Sequence, residues 1–283
     1  MISILHLSDL HFGTEIPEVL AGLRADLARD KPTLVTISGD LTQRATPDQF
    51  RTARAFLDEL PSPYIVVPGN HDVPLYNLYE RFFRPLRRYR KYVTDDLTPE
   101  FRADDLVVMG IATAHGKTFK NGHIVPAHLA HVCTTMTPSP ARWKVLVAHH
   151  PFSIPHGVDD EPLHGAKEAM PRLEACGVDI ILTGHLHVAH STDAAGFRTD
   201  DRRVVEVHAG SAISHRLRGE SNGYNRLDFD GPVLRLVNRL WDGERFVDGP
   251  SKLYRRDEPR EGEPTFIKLE TKEGTQVAVA DEK

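Results

Sequence analysis

The sequence lacks the features that would place it in several special classes of protein. No apolar run approaches the roughly 20 residues of a transmembrane helix. Cysteine is scarce, because Cys133 and Cys176 are the two in 283 residues. Two cysteines make no disulfide framework, and we expect thiols that are buried or kept in a reducing compartment. The hydrophobic share of 40% is that of an ordinary globular protein.

An excess of positive charge is also missing. The formal net charge is -5 at pH 7, so nothing global attracts a nucleic-acid backbone, and an anionic substrate must be attracted locally. Basic and aromatic side chains alternate at roughly helical spacing in residues 76–92. This segment is either a cap that steers an anion or a surface helix bent at Pro85. We rank both above a nucleic-acid contact.

The N-terminus does not have the pattern of a cleaved signal peptide. The first strand begins at Ile2, and candidate ligands follow at Asp9 and His11. Removal of a signal peptide would therefore remove part of a site. We expect a cytoplasmic protein that makes no membrane contact.

Histidine, in contrast, is abundant, with 16 residues. Five times along the chain, a short apolar run meets a small residue and is followed by Asp or His. These blocks are residues 4–11, 35–40, 64–72, 145–150 and 180–187. Open α/β sheets bind their ligands at the carboxyl ends of buried strands. The repeated pattern predicts that the polar groups behind five strands form one site.

The spacing within the blocks suggests which side chains converge. Residues two apart on an extended chain project to the same side, so Asp9 and His11 can face one cation, as can His185 and His187. Either pair alone would be weak evidence, since a turn aspartate beside a core histidine is common. Neighbouring residues point in opposite directions, so His149 and its neighbour cannot both face the site.

The strand-end groups form a set of carboxylates, imidazoles and one amide, without thiolates. The set comprises Asp9, His11, Asp40, Asn70, His149, His185 and His187. Such ligands suit Mn, Fe, Zn or Co rather than a structural zinc site. If Asp40 bridges, two metals receive four protein contacts each and share a water. Two metals so arranged serve in-line displacement at phosphorus.

These blocks resemble, in order, the signature of the calcineurin-like metallophosphoesterases. The residues that carry the resemblance are Asp9-Leu10-His11, Gly39-Asp40, Gly69-Asn70-His71-Asp72, His149-His150-Pro151 and Gly184-His185-Leu186-His187. The pattern is most similar to bacterial class III cyclic nucleotide phosphodiesterases and their glycerophosphodiesterase relatives. The resemblance covers most of residues 1 to about 240. It implies an α/β fold, a four-layer αββα sandwich of two mixed β-sheets.

The resemblance also implies two transition-metal ions, Mn and/or Fe, with Zn or Co as alternatives. One metal would be held by Asp9, His11, Asp40 and His187, and the other by Asp40, Asn70, His149 and His185. His71 and Asp40 are the predicted catalytic residues.

In the family, the residue at the position of His71 orients the substrate or donates a proton to the leaving oxygen. A supporting histidine held by Asp72 is compatible with that role. We expect His150 to be a packing residue, and the sequence leaves open an exchange with His149.

The predicted function is a metal-dependent phosphodiesterase for small phosphodiesters, with 3',5'-cyclic nucleotides among the candidates. The expected mechanism is attack on phosphorus by a hydroxide that bridges the two metals. The alternatives are a glycerophosphodiester hydrolase, or a phosphomonoesterase or nuclease with the same centre. The arginines at 81–91 or in Arg216-Leu217-Arg218 could supply the extra cation that a monoester favours. A scaffold protein with a dead site should have lost ligands, and none is missing.

We expect one metallophosphoesterase domain over residues 1–254, with a helical insertion at about 75–105. Residues 255–283 form a C-terminal extension that is partly loose, at most one short strand and then a dozen unstructured residues. The 76–92 segment, or the hairpin near Trp241, could form a homodimer surface.

Overall fold

The computed structural model describes residues 2–193, 204–257 and 266–272. Within these ranges, two mixed β-sheets contain 13 strands. The first sheet has the order β13-β12-β11-β10-β1-β2-β3. Its strands are β1 (Ile2–Leu7), β2 (Leu34–Ile37), β3 (Tyr64–Val66), β10 (Gly223–Asp230), β11 (Val233–Trp241), β12 (Phe246–Arg256) and β13 (Phe266–Lys272).

The second sheet has the order β4-β5-β6-β7-β9-β8. Its strands are β4 (Glu100–Ala103), β5 (Leu106–Gly110), β6 (Trp143–Val147), β7 (Ile180–Thr183), β8 (His190–Asp193) and β9 (Val205–His208). The helices are α1 (Pro17–Asp30), α2 (Pro47–Asp58), α3 (Leu78–Phe83), α4 (Arg87–Tyr92), α5 (Pro126–Met136) and α6 (Ala166–Ala175).

Each sheet has a parallel centre. β1, β2 and β3 run parallel in the first sheet, and β5, β6, β7 and β9 in the second. Parallel strands need crossover connections, which the helices supply. α2 illustrates the local signals, because Thr46 and Gln49 form a capping box in front of its first turn.

The strands alternate their side chains between two apolar layers. In β1, Ile4 belongs to the core between the two sheets, whereas Leu5 packs towards α1 and α2. In β6, Val145 faces the same inter-sheet core and Leu146 packs towards α5 and α6. Helices therefore cover both outer faces of the paired sheets. The predicted four-layer αββα sandwich is confirmed.

The insertion differs from its description as a helical segment. α3 and α4 are separate short helices on either side of Pro85, and β4 is a strand that pairs antiparallel with β5. The sequence did not predict β4. Tyr89 of α4 is fully buried, and its hydroxyl donates a 3.0 Å hydrogen bond to the Val66 carbonyl, which ties the insertion to the first sheet.

The expectation of two free thiols is wrong. Cys133 of α5 and Cys176, directly after α6, form a disulfide. The two cysteines lie 43 residues apart in sequence, but α5 and α6 pack side by side on the second sheet. Proximity that depends on helix packing is invisible in sequence spacing.

The C-terminal part joins the first sheet. β12 runs through residue 254, where we placed the domain boundary, and β13 pairs antiparallel with β12. The domain division itself stays a prediction. The residues predicted to be loose, from 273 onward, lie outside the described residues. No helix in the described ranges is both long enough and apolar enough to cross a membrane.

Candidate metal centre

The predicted ligands follow the carboxyl ends of strands in both sheets. Asp9, Asp40 and Asn70 come after β1, β2 and β3, whereas His149 and His185 come after β6 and β7. Backbone hydrogen bonds connect these loops to one another. The amide of Asp9 donates to the Gly39 carbonyl at 3.1 Å, and the amide of Gly184 donates to the His149 carbonyl at 3.0 Å. The amide of His185 also donates to Asp9 Oδ2 at 3.0 Å, which joins a loop of the second sheet to a loop of the first, so the two sheets meet at one polar edge.

The backbone at this edge has an unusual conformation. Five predicted ligands have positive φ angles although none is glycine: Asp9 (52°), His11 (46°), Asp40 (51°), His185 (68°) and His187 (57°). Left-handed backbone costs energy for residues with a Cβ and concentrates at functional sites. Asp9 and His11 converge as the sequence predicted, whereas His185 and His187 lie in opposite halves of the site. The premise of an extended chain was wrong for both pairs, because all four residues are left-handed.

One half of the site is formed by Asp9, His11 and His187. The Nε2 atoms of both histidines lie 3.5 Å from Asp9 Oδ1. All three side chains are buried, and Asp9 Oδ1 and both ring nitrogens of His11 have no hydrogen-bond partner. Buried polar atoms without partners are costly unless a ligand satisfies them. A metal ion would satisfy them.

Asp40 lies between the two halves. Its Oδ2 is 3.6 Å from His11 Nε2, and its Oδ1 is 3.5 Å from His149 Nε2. The two carboxylate oxygens thus face different histidine groups. This is the position that a bridging ligand occupies.

The other half contains Asn70, His149 and His185. Asn70 Oδ1 lies 3.0 Å from His149 Nε2 and 3.1 Å from His185 Nδ1. His150 packs beside these rings, but its Nδ1 bonds the Thr113 hydroxyl at 2.8 Å and its Nε2 bonds the Lys120 carbonyl at 2.9 Å. With both ring nitrogens engaged, His150 fits a packing role. The assignment of ligands stays a prediction.

Groups that are not themselves predicted ligands orient the ligand histidines by hydrogen bonds. His149 Nδ1 donates to the Ser38 carbonyl at 2.7 Å, and His187 Nδ1 lies 2.5 Å from the Ser211 hydroxyl and 2.9 Å from the Arg216 carbonyl. These contacts leave each Nε2 facing the centre. Support of this kind fixes the tautomer and ring orientation of metal-binding histidines.

Electrostatics keep the carboxylates ionised. Burial opposes the charge on Asp9 and Asp40, but the histidines around them outweigh burial and hold both pKa values below the ordinary range, that of Asp9 well below. Burial, with nearby His149, lowers the pKa of His185 to about 4. Charged carboxylates and a neutral imidazole are the forms that bind metal ions.

Gly69 shows how tightly the loops pack. A Cβ on Gly69 would lie 2.8 Å from the carboxylate carbon of Asp40, closer than real Cβ contacts allow. A residue without a side chain is therefore required before Asn70, because the loop that carries Asp40 approaches the backbone closely at this position.

His71 lies at the edge of the first half. Its Nδ1 donates to the Gln43 carbonyl at 2.9 Å, so its Nε2 accepts from Arg216 Nη1 at 2.7 Å. The suggestion that Asp72 holds this ring is wrong. The Asp72 carboxylate instead accepts hydrogen bonds from the amides of Leu41, Thr42 and Gly69. Burial, and then Asp40, raise the pKa of Asp72 to about 6.

Sequence reasoning missed most of the supporting groups. It considered Arg216 only as a candidate cation for a monoester, and it did not identify Ser38, Ser211 or Gln43. The available signal was Ala209-Gly210-Ser211, a small-residue run after β9 that repeats the strand-end pattern. Ser38 and Gln43 act through backbone carbonyls, which carry no sequence signal.

The two histidines of α5, His128 and His131, differ in exposure. His131 is exposed, whereas His128 is half-buried and lines a cavity near the insertion.

Two buried carboxylates, one of which lies between two groups of histidines, are typical of dinuclear metal hydrolases. Four overlapping groups of His and Asp here have ligand atoms within 4.8 Å of one another. The family model described as calcineurin-like phosphoesterase matches residues 2–189. The chain belongs to this family, and the names of its relatives support a metal-dependent phosphoester hydrolase.

Individual relatives are similar at low identity. A probable cyclic nucleotide phosphodiesterase of a Pseudoalteromonas species is 24% identical over 250 residues, 84% of this chain and 87% of the relative. A glycerophosphodiester phosphodiesterase of Enterobacter lignolyticus is 34% identical over 79 residues, which span 24% of this chain and 28% of that protein. A solved structure of PhoD superposes with a TM-score of 0.72, 98% coverage of this chain, 72% of the other and 11% identity. That structure supports the fold alone.

Proposed function

We propose that this protein is a phosphodiesterase that hydrolyses small phosphodiesters, with 3',5'-cyclic nucleotides and glycerophosphodiesters as the candidate substrates. The observation that carries the proposal is the position of Asp40, whose two oxygens face histidines on opposite sides. The names of two relatives add support for a diester substrate.

In the proposed site, Asp9, His11, Asp40 and His187 would hold one metal ion, and Asp40, Asn70, His149 and His185 would hold a second. Mn and Fe are the expected ions, with Zn or Co as alternatives. When bound, such a pair of ions lowers the pKa of water and neutralises charge on the phosphoryl oxygens.

The chain supplies the groups around the leaving oxygen. Arg216 donates to His71 Nε2, so that in this arrangement His71 accepts rather than offers a proton. We therefore assign the positive charge on the leaving-group side to Arg216, with His71 as the residue that orients it. A pocket of about 110 Å³ beside them, lined in part by Asn70 and Phe119, accommodates only a small substituent.

A phosphomonoesterase is the second candidate, and a specific observation favours it. Arg216 is a cation beside His71 that no carboxylate contacts among the described residues. A monoester carries an additional negative charge that this guanidinium could bind. The net charge of -5 gives no such support to a nuclease.

The experiment is a comparison of substrates on metal-reconstituted protein. We expect kcat/KM for bis(p-nitrophenyl) phosphate to exceed that for p-nitrophenyl phosphate at least about tenfold, a difference of about 1.4 kcal/mol. A panel of cyclic nucleotides and glycerophosphodiesters then identifies the substrate. Preference for the monoester would reject the diesterase in favour of the second candidate, and no hydrolysis with any metal would reject both.

Cytoplasmic location and a homodimer stay predictions. The disulfide between Cys133 and Cys176 argues against a reducing compartment, because disulfides are rare there.

A further inference from the structure

A second concave site lies away from the metal centre. A cavity of about 540 Å³ opens between α4, the start of α5 and the segment after β5. Its size is within the range of about 300–1,000 Å³ for small-molecule sites. It shares no lining residue with the seven predicted metal ligands, so its occupant is a separate question from the hydrolytic reaction.

The floor of this cavity is apolar. Leu86, Ala112 and Ala114 line it and are at least 92% buried. The two alanines leave the space open, because their side chains end at Cβ. Thr113, between them, points the other way and bonds His150. An apolar floor of this kind favours a ligand with a hydrocarbon or aryl body.

The rim of the cavity is cationic. Arg84, Arg87 and Arg90 line it and are exposed, and no Asp or Glu is among the lining residues. Arg87 binds Glu80, but Arg88 binds the same carboxylate, so one negative charge serves two cations. Arg84 has no ion-pair or hydrogen-bond partner for its side chain in the described ranges. Arg90 pairs with Asp95 at 3.8 Å, so the positive charge that the protein leaves unpaired at the rim is that of Arg84.

We infer that this cavity binds an amphipathic organic anion, a molecule with an apolar body and one carboxylate or similar group. The body fills the space above Ala112 and Ala114, and the anionic group meets Arg84 at the rim. A neutral ligand of the same size would leave Arg84 without a partner, and a small inorganic anion would leave the apolar floor of the cavity empty.

The test measures binding of decanoate to the metal-loaded protein by isothermal titration calorimetry, with 1-decanol as the neutral comparison. Decanoate is expected to bind at least about tenfold more tightly than the alcohol, a difference of about 1.4 kcal/mol. Equal affinities, or no binding of decanoate, would overturn the inference.

Variants locate the binding. Ala114→Leu fills the floor and should weaken decanoate binding about tenfold or more, and Val125→Phe fills the space from another wall if the first variant does not fold. Arg84→Gln should weaken binding severalfold, up to about fivefold for an exposed charge. Arg245→Gln, an 80% exposed arginine on the β11–β12 turn, is the matched control and should bind as the parent protein does.

The same set of variants distinguishes the cavity from two other locations at which decanoate could bind. Binding at the metal centre would be unaffected by Ala114→Leu and Val125→Phe. Binding to exposed aromatic side chains would be reduced by Phe83→Ser and not by the cavity variants. Either result would overturn the proposal, while the substrate comparison above would be unaffected.

Discussion

The metal centre and the outer face of the insertion are built in opposite ways. At the centre, polar side chains are buried and several have no protein partner. On the outer face of α3, apolar side chains are exposed: Tyr79 is 65% and Phe83 is 73% accessible. Burying polar groups and exposing aromatic ones both cost free energy. Both regions are therefore better explained by what they bind than by the stability of the fold.

The two regions differ in how many elements determine them. The centre takes its residues from the loops after five strands of the two sheets and is fixed by hydrogen bonds between those loops.

 The outer face comes from a single short helix and needs no partner elsewhere in the chain. A single substitution at the centre should therefore strongly reduce metal binding and turnover. A substitution on the outer face should change turnover little.

The largest expected effect is that of Asp40→Ala. The variant removes the carboxylate that faces both histidine groups, so it should lose most bound metal and lower kcat by more than about 100-fold, the upper end for residues that only support a ligand. Metal content by mass spectrometry and turnover of bis(p-nitrophenyl) phosphate measure the two losses. Asp48→Asn, at a carboxylate that is 90% exposed, is the control. Unchanged metal content in the Asp40 variant would contradict the proposed centre.

A smaller loss is expected for Ser211→Ala. Its hydroxyl lies 2.5 Å from His187 Nδ1 and donates to the Arg216 carbonyl at 2.6 Å. Without it, metal affinity should fall about 10- to 100-fold, which a competition titration with a chelator measures. Ser211→Thr restores the hydroxyl and should recover part of the affinity. If alanine and threonine bind metal equally well, the hydroxyl does not orient His187.

Stability should fall in acid because of histidines beneath the centre. Burial, with His208 nearby, lowers the pKa of His6 to about 3, and burial lowers that of His208 to about 3. In the unfolded chain both titrate near 6.5, so the unfolded state binds more protons between pH 6.5 and about 3. The free energy of unfolding should decrease as the pH falls through this window, by up to about 1.4 kcal/mol per unit and histidine.

Denaturant titrations at several pH values measure this slope in metal-free protein. His208→Leu should have a shallower slope than the parent protein, because one of the two groups no longer titrates. His131→Leu, at an exposed histidine of α5, is the control and should leave the slope unchanged. A parent slope that does not respond to His208→Leu would assign the acid sensitivity to other groups.

The smallest effect is expected on the outer face. Tyr79→Ser and Phe83→Ser should change the free energy of unfolding by no more than about 0.5 kcal/mol, as for ordinary surface positions. Turnover of a small diester should also stay the same. Sedimentation analysis of the parent protein and the double variant tests the predicted homodimer. A dimer that dissociates in the variant would show that this face is a subunit interface, and a large loss of turnover would show that the two regions are coupled.

The sequence predicted which residues form the site, but it did not predict the backbone conformation and the contacts that bring them together. Asp9 and His11 were paired on the assumption of extended backbone, yet they converge through left-handed conformations. The five strand-end blocks sufficed because parallel strands bring their carboxyl ends to one edge whatever the loop conformation. Asp72 was adjacent to His71 in sequence and was expected to hold it, but its carboxylate binds backbone amides of another loop.

The sequence alone determined the candidate ligand types, because polar residues at strand ends are a local pattern, and its resemblance to the calcineurin-like metallophosphoesterases predicted the layer structure. Tertiary structure decided which atoms meet. It placed Arg216 against His71, joined Cys133 to Cys176 and left a cavity above Ala112 and Ala114. These contacts join residues far apart in the chain, and their distances depend on how helices and loops pack, which no local pattern encodes.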